Sequence, residues 1–170
     1  MPAWRFRDFH DDDLDRAIQI WDQNQQVDEA PAVFPVSEVV AAARAAGPAV
    51  VAVVGDELVG VGVAQVSGER GWIILVALAG TWRSRGIESS LIAELERRLR
   101  SQGVRRIGAL LAPGATGAVA LENSGYRSRT GLVFHEKVEQ LGASDAGLLA
   151  ELGEGCFPGI CGTALRGWKR

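Results

Sequence analysis

Two arginines and a glycine, Arg83, Arg85 and Gly86, stand in GTWRSRGIESSL, residues 80–91, directly before a segment whose apolar residues recur at helical spacing. The first amides of a helix have no intrahelical partner and lie at the positive end of its dipole. Gly86 lets the backbone turn closely around a ligand, and two guanidiniums add charge-assisted donors. These are the parts of an anion cradle that fits a pyrophosphate. A solvated basic loop that only caps the helix accounts for the same residues. Glu88 complicates the first reading. Its carboxylate suits the dipole, but it competes with a phosphate for the same amides. At about 5 Å and an effective dielectric of about 20, one such pair of charges costs roughly 3 kcal/mol before solvent screening. An ion pair with Arg83 or Arg85 would turn the carboxylate aside. No G-x-x-x-x-G-K-[ST] loop occurs, and no G-x-G-x-x-G follows a strand, so neither a P-loop nor a dinucleotide fingerprint is present.

Other reactive side chains form weaker sets. Cys156 and Cys161 share GCFPGIC, and the two histidines, His10 and His135, lie far from them in sequence. Two thiols and two distant imidazoles do not complete a tetrahedral zinc set. Free thiols are expected over a disulfide across the short loop. Asp22, Asp28 and Glu29 could hold an amine, although a solvated helix face and loop explain them too. Tyr126 reads as a packed aromatic and His135 as structural.

These residues must be positioned by a domain of ordinary globular make-up. The chain has 170 residues, 47% hydrophobic and 23% charged, with a formal net charge of -3. That favours one main domain with a sizeable core and gives no support for nucleic-acid or membrane-surface binding. No apolar run approaches the roughly 20 residues of a membrane-spanning helix. The N-terminus turns acidic at once, which reads against a secretory signal, so a cytoplasmic location is expected.

AWRFRDF alternates like a half-buried strand, and DDDLDRAIQIWDQ carries a helical stripe at Leu14, Ile18 and Trp21 behind three capping aspartates. NQQVDEAPAVFP reads as a loop, then SEVVAAARAAG as a helix with Ser37 as cap and Gly47 as stop. AVVAVVGDELVGVGVAQV is a hairpin around Gly55-Asp56, and Gly60 and Gly62 mark a bulge or a close backbone approach. GWIILVALAG is a central strand. IESSLIAELERRLRSQG is a helix with Ile87, Leu91, Ile92, Leu95 and Leu99 inward and Glu94–Arg98 and Glu96–Arg100 pairs outward. VRRIGALLA is a strand, TGAVALENSG a short helix ending at Gly125, and YRSRTGLVFHEKVE a pair of strands broken near Thr130-Gly131. Hairpins followed by βαβ units predict an α/β (α+β) fold, a mixed sheet with helices on both faces. Residues 1–139 form that domain, and the Gly- and Pro-rich tail, 140–170, an appendage or connector.

RSRGIE, Arg83 to Glu88, resembles the R/Q-x-x-G-x-G/A motif of the GNAT superfamily of acetyl-CoA-dependent N-acetyltransferases. The similarity extends over residues 3–139: VVGDELVGVGVAQV is similar to that family's second and third strands, the run from VALAG to VRRI to its fourth strand, third helix and fifth strand, and AVALENSGYRSR to its late helix and turn. The resemblance implies the GNAT fold, with splayed fourth and fifth strands. It implies acetyl-CoA as cosubstrate, its pantetheine along backbone groups near Ala77 and Leu78 and its pyrophosphate on Arg83, Ser84, Arg85, Gly86, Ile87 and Glu88. A primary amine, unidentified, would enter from the side of the first two helices. Catalysis would then rest mainly on positioning.

Two positions depart from the family pattern. Glu88 replaces its final Gly/Ala, and Leu121 stands where many members have a tyrosine acid. The fourth strand also lacks the glutamate that often acts as base, so no acid or base is assigned. Two readings follow: an N-acetyltransferase, or a catalytically degenerate domain that senses acyl-CoA or mediates interactions. DAGLLAELGEGCFPGICGTALRGWKR resembles, less specifically, the connector of some actinobacterial proteins in which a GNAT-like domain precedes an AAA-type ATPase. That implies an ATPase domain beyond Arg170 of a longer chain. Homodimers are common in the family, and the sequence does not decide the oligomeric state.

Overall fold

The computed structural model describes residues 4–28, 32–112, 115 and 117–129. All lie in the first of two compact units, Met1–Arg129 and Thr130–Arg170. The expected strand beyond Arg129, the boundary after residue 139, His135, Cys156 and Cys161 fall outside the described residues.

Five strands form one sheet in the order β1 (Arg5–Asp8), β2 (Ala49–Val54), β3 (Glu57–Ser67), β4 (Arg70–Leu78) and β5 (Arg106–Ala109). Neighbours are antiparallel except β4 and β5, which run parallel. Helices α1 (Leu14–Asp28) and α2 (Val36–Arg44) precede β2, α3 (Ile87–Ser101) joins β4 to β5, and α4 (Gly117–Asn123) follows. The mixed α/β architecture with helices on both faces is therefore the one predicted.

Strand alternation sorts the core into two layers. Val51 and Val53 of β2 pack with Ala17, Ile20 and Trp21 of α1 and Val39 and Ala42 of α2. Val50 points the other way, into Leu91, Ile92, Leu95 and Leu99 of α3 and Ala120 and Leu121 of α4. The predicted inward face of α3 is fully buried, and both predicted i,i+4 pairs form, Glu94–Arg98 at 2.8 Å and Glu96–Arg100 at 2.6 Å.

The β2–β3 hairpin turns on Gly55-Asp56, with Gly55 at φ +59°. Both parts of the expectation for the β3 glycines hold. A bulge leaves Val59 unpaired, because Ala52 faces Gly60 and Val53 faces Leu58. A Cβ on Gly60 would meet Leu78 Cδ2 at 2.4 Å, and one on Gly62 would meet Leu95 Cδ1 at 2.9 Å.

Other expectations are corrected. α1 does not stop at Gln23; it continues through Asn24 to Asp28, and the Asn24 amide bonds back to Ile20 O at 2.6 Å. α2 is capped by Pro35, with Ser37 already inside the helix, and it ends at Arg44. Gly47 is small for another reason: a Cβ there would lie 2.4 Å from Ala64 O of β3. The strands in AWRFRDF and VRRIGALLA shorten to Arg5–Asp8 and Arg106–Ala109. Residues 126–129, expected to open a strand, belong to no regular element.

Candidate functional site

β4 and β5 pair only from Arg70↔Arg106 to Ile73↔Ala109. β4 runs on to Leu78, so its last five residues have lost their β5 neighbour and the two strands part. A second bulge sits at this divergence. Val63 faces Leu75 while Ala64 faces Ile73, leaving Ile74 as the extra residue. In consequence two consecutive residues, Ile74 and Leu75, pack on the α1 side, and Ile73 and Val76 on the α3 side.

The pairing also determines which backbone groups face the split. Ala79 N donates to Val59 O at 2.9 Å, so by antiparallel alternation Ala77 bonds toward β3 whereas Val76 and Leu78 turn away from it. The Leu78 carbonyl already accepts from Asn24 Nδ2 at 2.8 Å. Of the two positions expected to serve pantetheine, Ala77 thus faces β3, and Leu78 keeps only its N–H free of that bond. Val76 turns both its groups toward the split.

After β4 a 3₁₀ turn, Gly80–Trp82, leads into Arg83, Ser84 and Arg85. Ser84 lies in the left-handed region at φ +59°, a conformation costly for a residue with a Cβ. Gly86 follows at φ +80°, ψ 0°, and caps α3. A left-handed residue followed by helical Ile87 makes the amides of Gly86, Ile87 and Glu88 converge on one concavity. Gly86 O is consumed by Ser90, which donates through N at 3.1 Å and Oγ at 2.9 Å. The Arg85 guanidinium stacks over Trp82, 4.8 Å from the ring centroid. The five predicted residues from Arg83 to Ile87 therefore form one continuous turn into the helix.

Glu88 faces elsewhere. Among the described residues no ion pair joins it to Arg83 or Arg85. Its Oε1 lies 3.9 Å from where a Gly117 Cβ would stand, at the start of α4, and its side chain lines a cleft between α3 and the split strands.

Two clefts meet at the split, one from each face. The cleft on the α3–α4 side encloses about 340 Å³, open mouth included, between Ile73–Val76, Glu88, Ile92, Ala109–Leu111, Gly117 and Leu121. The cleft on the α1 side, about 650 Å³ counted the same way, is walled by Trp21, Asn24, Gln25, Ala32–Phe34, Ile74–Ala77, Leu110–Ala112, Ala115 and Gly117. They share Ile74, Leu75, Val76, Leu110, Leu111 and Gly117.

Among the described lining residues Glu88 is the only titratable group. Asp22 is exposed and lines neither cleft. The Asp28 side chain and Glu29 lie outside the described residues. Leu121 is buried in the α3–α4 layer and forms part of the cleft wall. Tyr126 packs in the same layer, as predicted. Its hydroxyl is buried without a hydrogen-bond partner among the described residues. Burial, and then the nearby Glu96 carboxylate, raise its pKa. Among the described residues no cluster suits a metal ion, and no helix is long and apolar enough to cross a membrane. Sequence reasoning missed Asn24, whose carbonyl partner lies 54 residues away.

The sequence profile described as the acetyltransferase (GNAT) family matches residues 5–123. No curated protein matches the sequence. Solved structures with the same fold include an aminoglycoside acetyltransferase from an uncultured soil metagenomic sample in complex with sisomicin (TM-score 0.56, 15% identity, 81% of this chain and 97% of that one). The ribosomal-protein-S18-alanine N-acetyltransferase from Escherichia coli is similar too (TM-score 0.59, 15% identity, 75% and 80%). So is Rv2747 from Mycobacterium tuberculosis in complex with CoA and NLQ (TM-score 0.60, 18% identity, 77% and 76%).

Proposed function

The chain belongs to the acetyltransferase (GNAT) family, and on that premise we propose that it transfers an acetyl group from acetyl-CoA to a primary amine. The observation that carries this reading is the pair of clefts meeting through the β4–β5 split, because two substrates bound from opposite faces would bring their reacting atoms together there. The relatives named above include one bound to CoA and one bound to an amine antibiotic. Bound acetyl-CoA supplies a thioester, an acyl carbon already activated toward amines.

The residues present fit that cosubstrate. Convergent amides at Gly86, Ile87 and Glu88, with Arg83 and Arg85, would hold a pyrophosphate. The apolar walls of the α3-side cleft suit the pantetheine arm, and the Val76 N–H and C=O facing the split offer hydrogen bonds to its amides. With no acid or base assigned, the chain's contribution is orientation and exclusion of water, which by themselves can supply a large part of a rate enhancement. The amine nitrogen bonds to the acyl carbon, the carbon–sulfur bond breaks, and the thiolate leaves with the electron pair while the amine's surplus proton passes to water.

A second reading, an acyl-CoA-binding module that no longer catalyses, is favoured by Glu88 in the cofactor-side cleft and by the non-ionisable Leu121 beside it. Thiol release from acetyl-CoA in the presence of a mixed amine panel, with mass spectrometry of the products, separates the two. Acetylated amine supports the enzyme. Acetyl-CoA binding without any product supports the module. The cytoplasm and a homodimer remain the proposed setting, and a following ATPase domain the proposed context in a longer chain.

A further inference from the structure

The α1-side cleft carries information about the acceptor that the sequence did not. Its walls include Trp21, Val33, Phe34 and Leu111, and its polar side chains among the described residues are those of Asn24 and Gln25. No described side chain in the lining bears a charge. A polycationic acceptor would meet no carboxylate among the described lining residues, and ammonium groups are costly to desolvate unpaired. An aromatic or branched aliphatic body would instead gain from every methylene it buries, by about fourfold in affinity each.

Asn24 adds direction. Its Nδ2 donates to two carbonyls, Ile20 O at 2.6 Å and Leu78 O at 2.8 Å. An amide NH₂ has two hydrogens, so both are used and the flip state is fixed by the two oxygens it faces. What remains is Oδ1, an acceptor that no described donor reaches and that is not sealed from solvent. It sits beside Leu78 at the end of β4, on the wall of the α1-side cleft. Resting on the transferase reading above, we propose that the acceptor is a primary amine on a compact apolar body, bound in the α1-side cleft with an N–H on Asn24 Oδ1. Asn24 is then a positioning residue.

The test begins without acetyl-CoA. Saturation-transfer NMR on the full chain compares 2-phenylethylamine with kanamycin, a polycation. The expected result is binding of 2-phenylethylamine, at least tenfold tighter than kanamycin and weakened about tenfold by Phe34→Ala. Equal or tighter kanamycin binding, or no binding of 2-phenylethylamine, overturns the inference. If calorimetry finds no acetyl-CoA binding while 2-phenylethylamine still binds in the cleft, the transferase reading and the acceptor role fall together, and only the cleft's preference for an apolar amine stands. In turnover with saturating acetyl-CoA, Asn24→Ala is expected to lower kcat at least tenfold while the Kd of acetyl-CoA stays within about twofold and circular dichroism shows a folded chain. An unchanged kcat removes Asn24 from the role.

Discussion

Glu88 is where a single side chain bears most on activity. Its backbone amide belongs to the turn proposed as an anion cradle, while its carboxylate lines the cleft that would take the pantetheine arm. Replacement by glycine removes a negative charge from the wall of the cleft beside the proposed pyrophosphate turn. Glu88→Gly is expected to tighten acetyl-CoA binding about tenfold at low salt, and less at about 1 M salt, where the screening length falls to about 3 Å. An affinity that does not change, or does not respond to salt, would show that the carboxylate is irrelevant to the cofactor. Glu94 gives a pH signature of another kind. Hydrogen bonds from Arg97, opposed by burial and helped by Arg98, hold its carboxyl at about 2. The folded value lies below the unfolded one of about 4.3, so the stabilisation is present above that pH and is lost as pH falls toward about 2. Glu94→Gln is therefore expected to flatten the fall of the urea midpoint between about pH 5 and pH 2. At this scale the sequence was legible where chemistry is local. Arg83, Arg85, Gly86 and Glu88 could be singled out from type and spacing, and Leu121 through the family resemblance, whereas Asn24 could not, because its meaning lies in a carbonyl on another element.

The elements place these residues through their ends and irregularities. α3 was legible to within two residues because its five inward positions follow one helical stripe. The junction of α1 and the loop after it was not: polar residues from Asn24 onward read as loop, yet α1 continues to Asp28, and Asn24 and Gln25 turn toward the cleft beside β4. The split of β4 from β5 rests on the Ile74 bulge, for which an all-apolar strand gives no sequence signal. Gly60 supports the same region from behind, since Leu78 fills the space a side chain would need. Gly60→Ala is expected to destabilise the fold by about 1–3 kcal/mol through overpacking. Differential scanning calorimetry would read this as a Tm loss of about 2–4 °C per kcal/mol for a chain of this size. A Tm within 1 °C of wild type would mean that Leu78 moves aside freely. Asp13 ties β1 to the start of α1: its carboxylate takes both Arg7 nitrogens, at 2.6 and 2.7 Å, and the His10 amide at 2.9 Å. Asp13→Ala should cost about 1–2 kcal/mol by loss of the cap and the paired hydrogen bonds, measurable by urea unfolding.

For the molecule as a whole, the consequence of the architecture is kinetic. Two clefts on opposite faces of one sheet would hold two substrates at once, and among the described lining residues there is no serine, threonine, cysteine, lysine or histidine to carry an acyl group between them. Initial rates with acetyl-CoA and amine both varied are expected to give intersecting double-reciprocal lines, the pattern of a ternary complex. Parallel lines would point to a covalent intermediate outside the described clefts. The acceptor itself was the least legible property. It depends on which side chains of α1, the following loop and the β5 end converge on the split, and that convergence has no counterpart in a linear motif. The central claim is that the turn from Arg83 to Glu88 and the adjoining cleft bind acetyl-CoA. Isothermal titration of acetyl-CoA into the wild-type chain and Glu88→Gly tests it most directly. Saturable one-to-one binding to both proteins is expected, tighter in the variant; no saturable heat from either protein would mean that the turn and cleft do not bind acetyl-CoA.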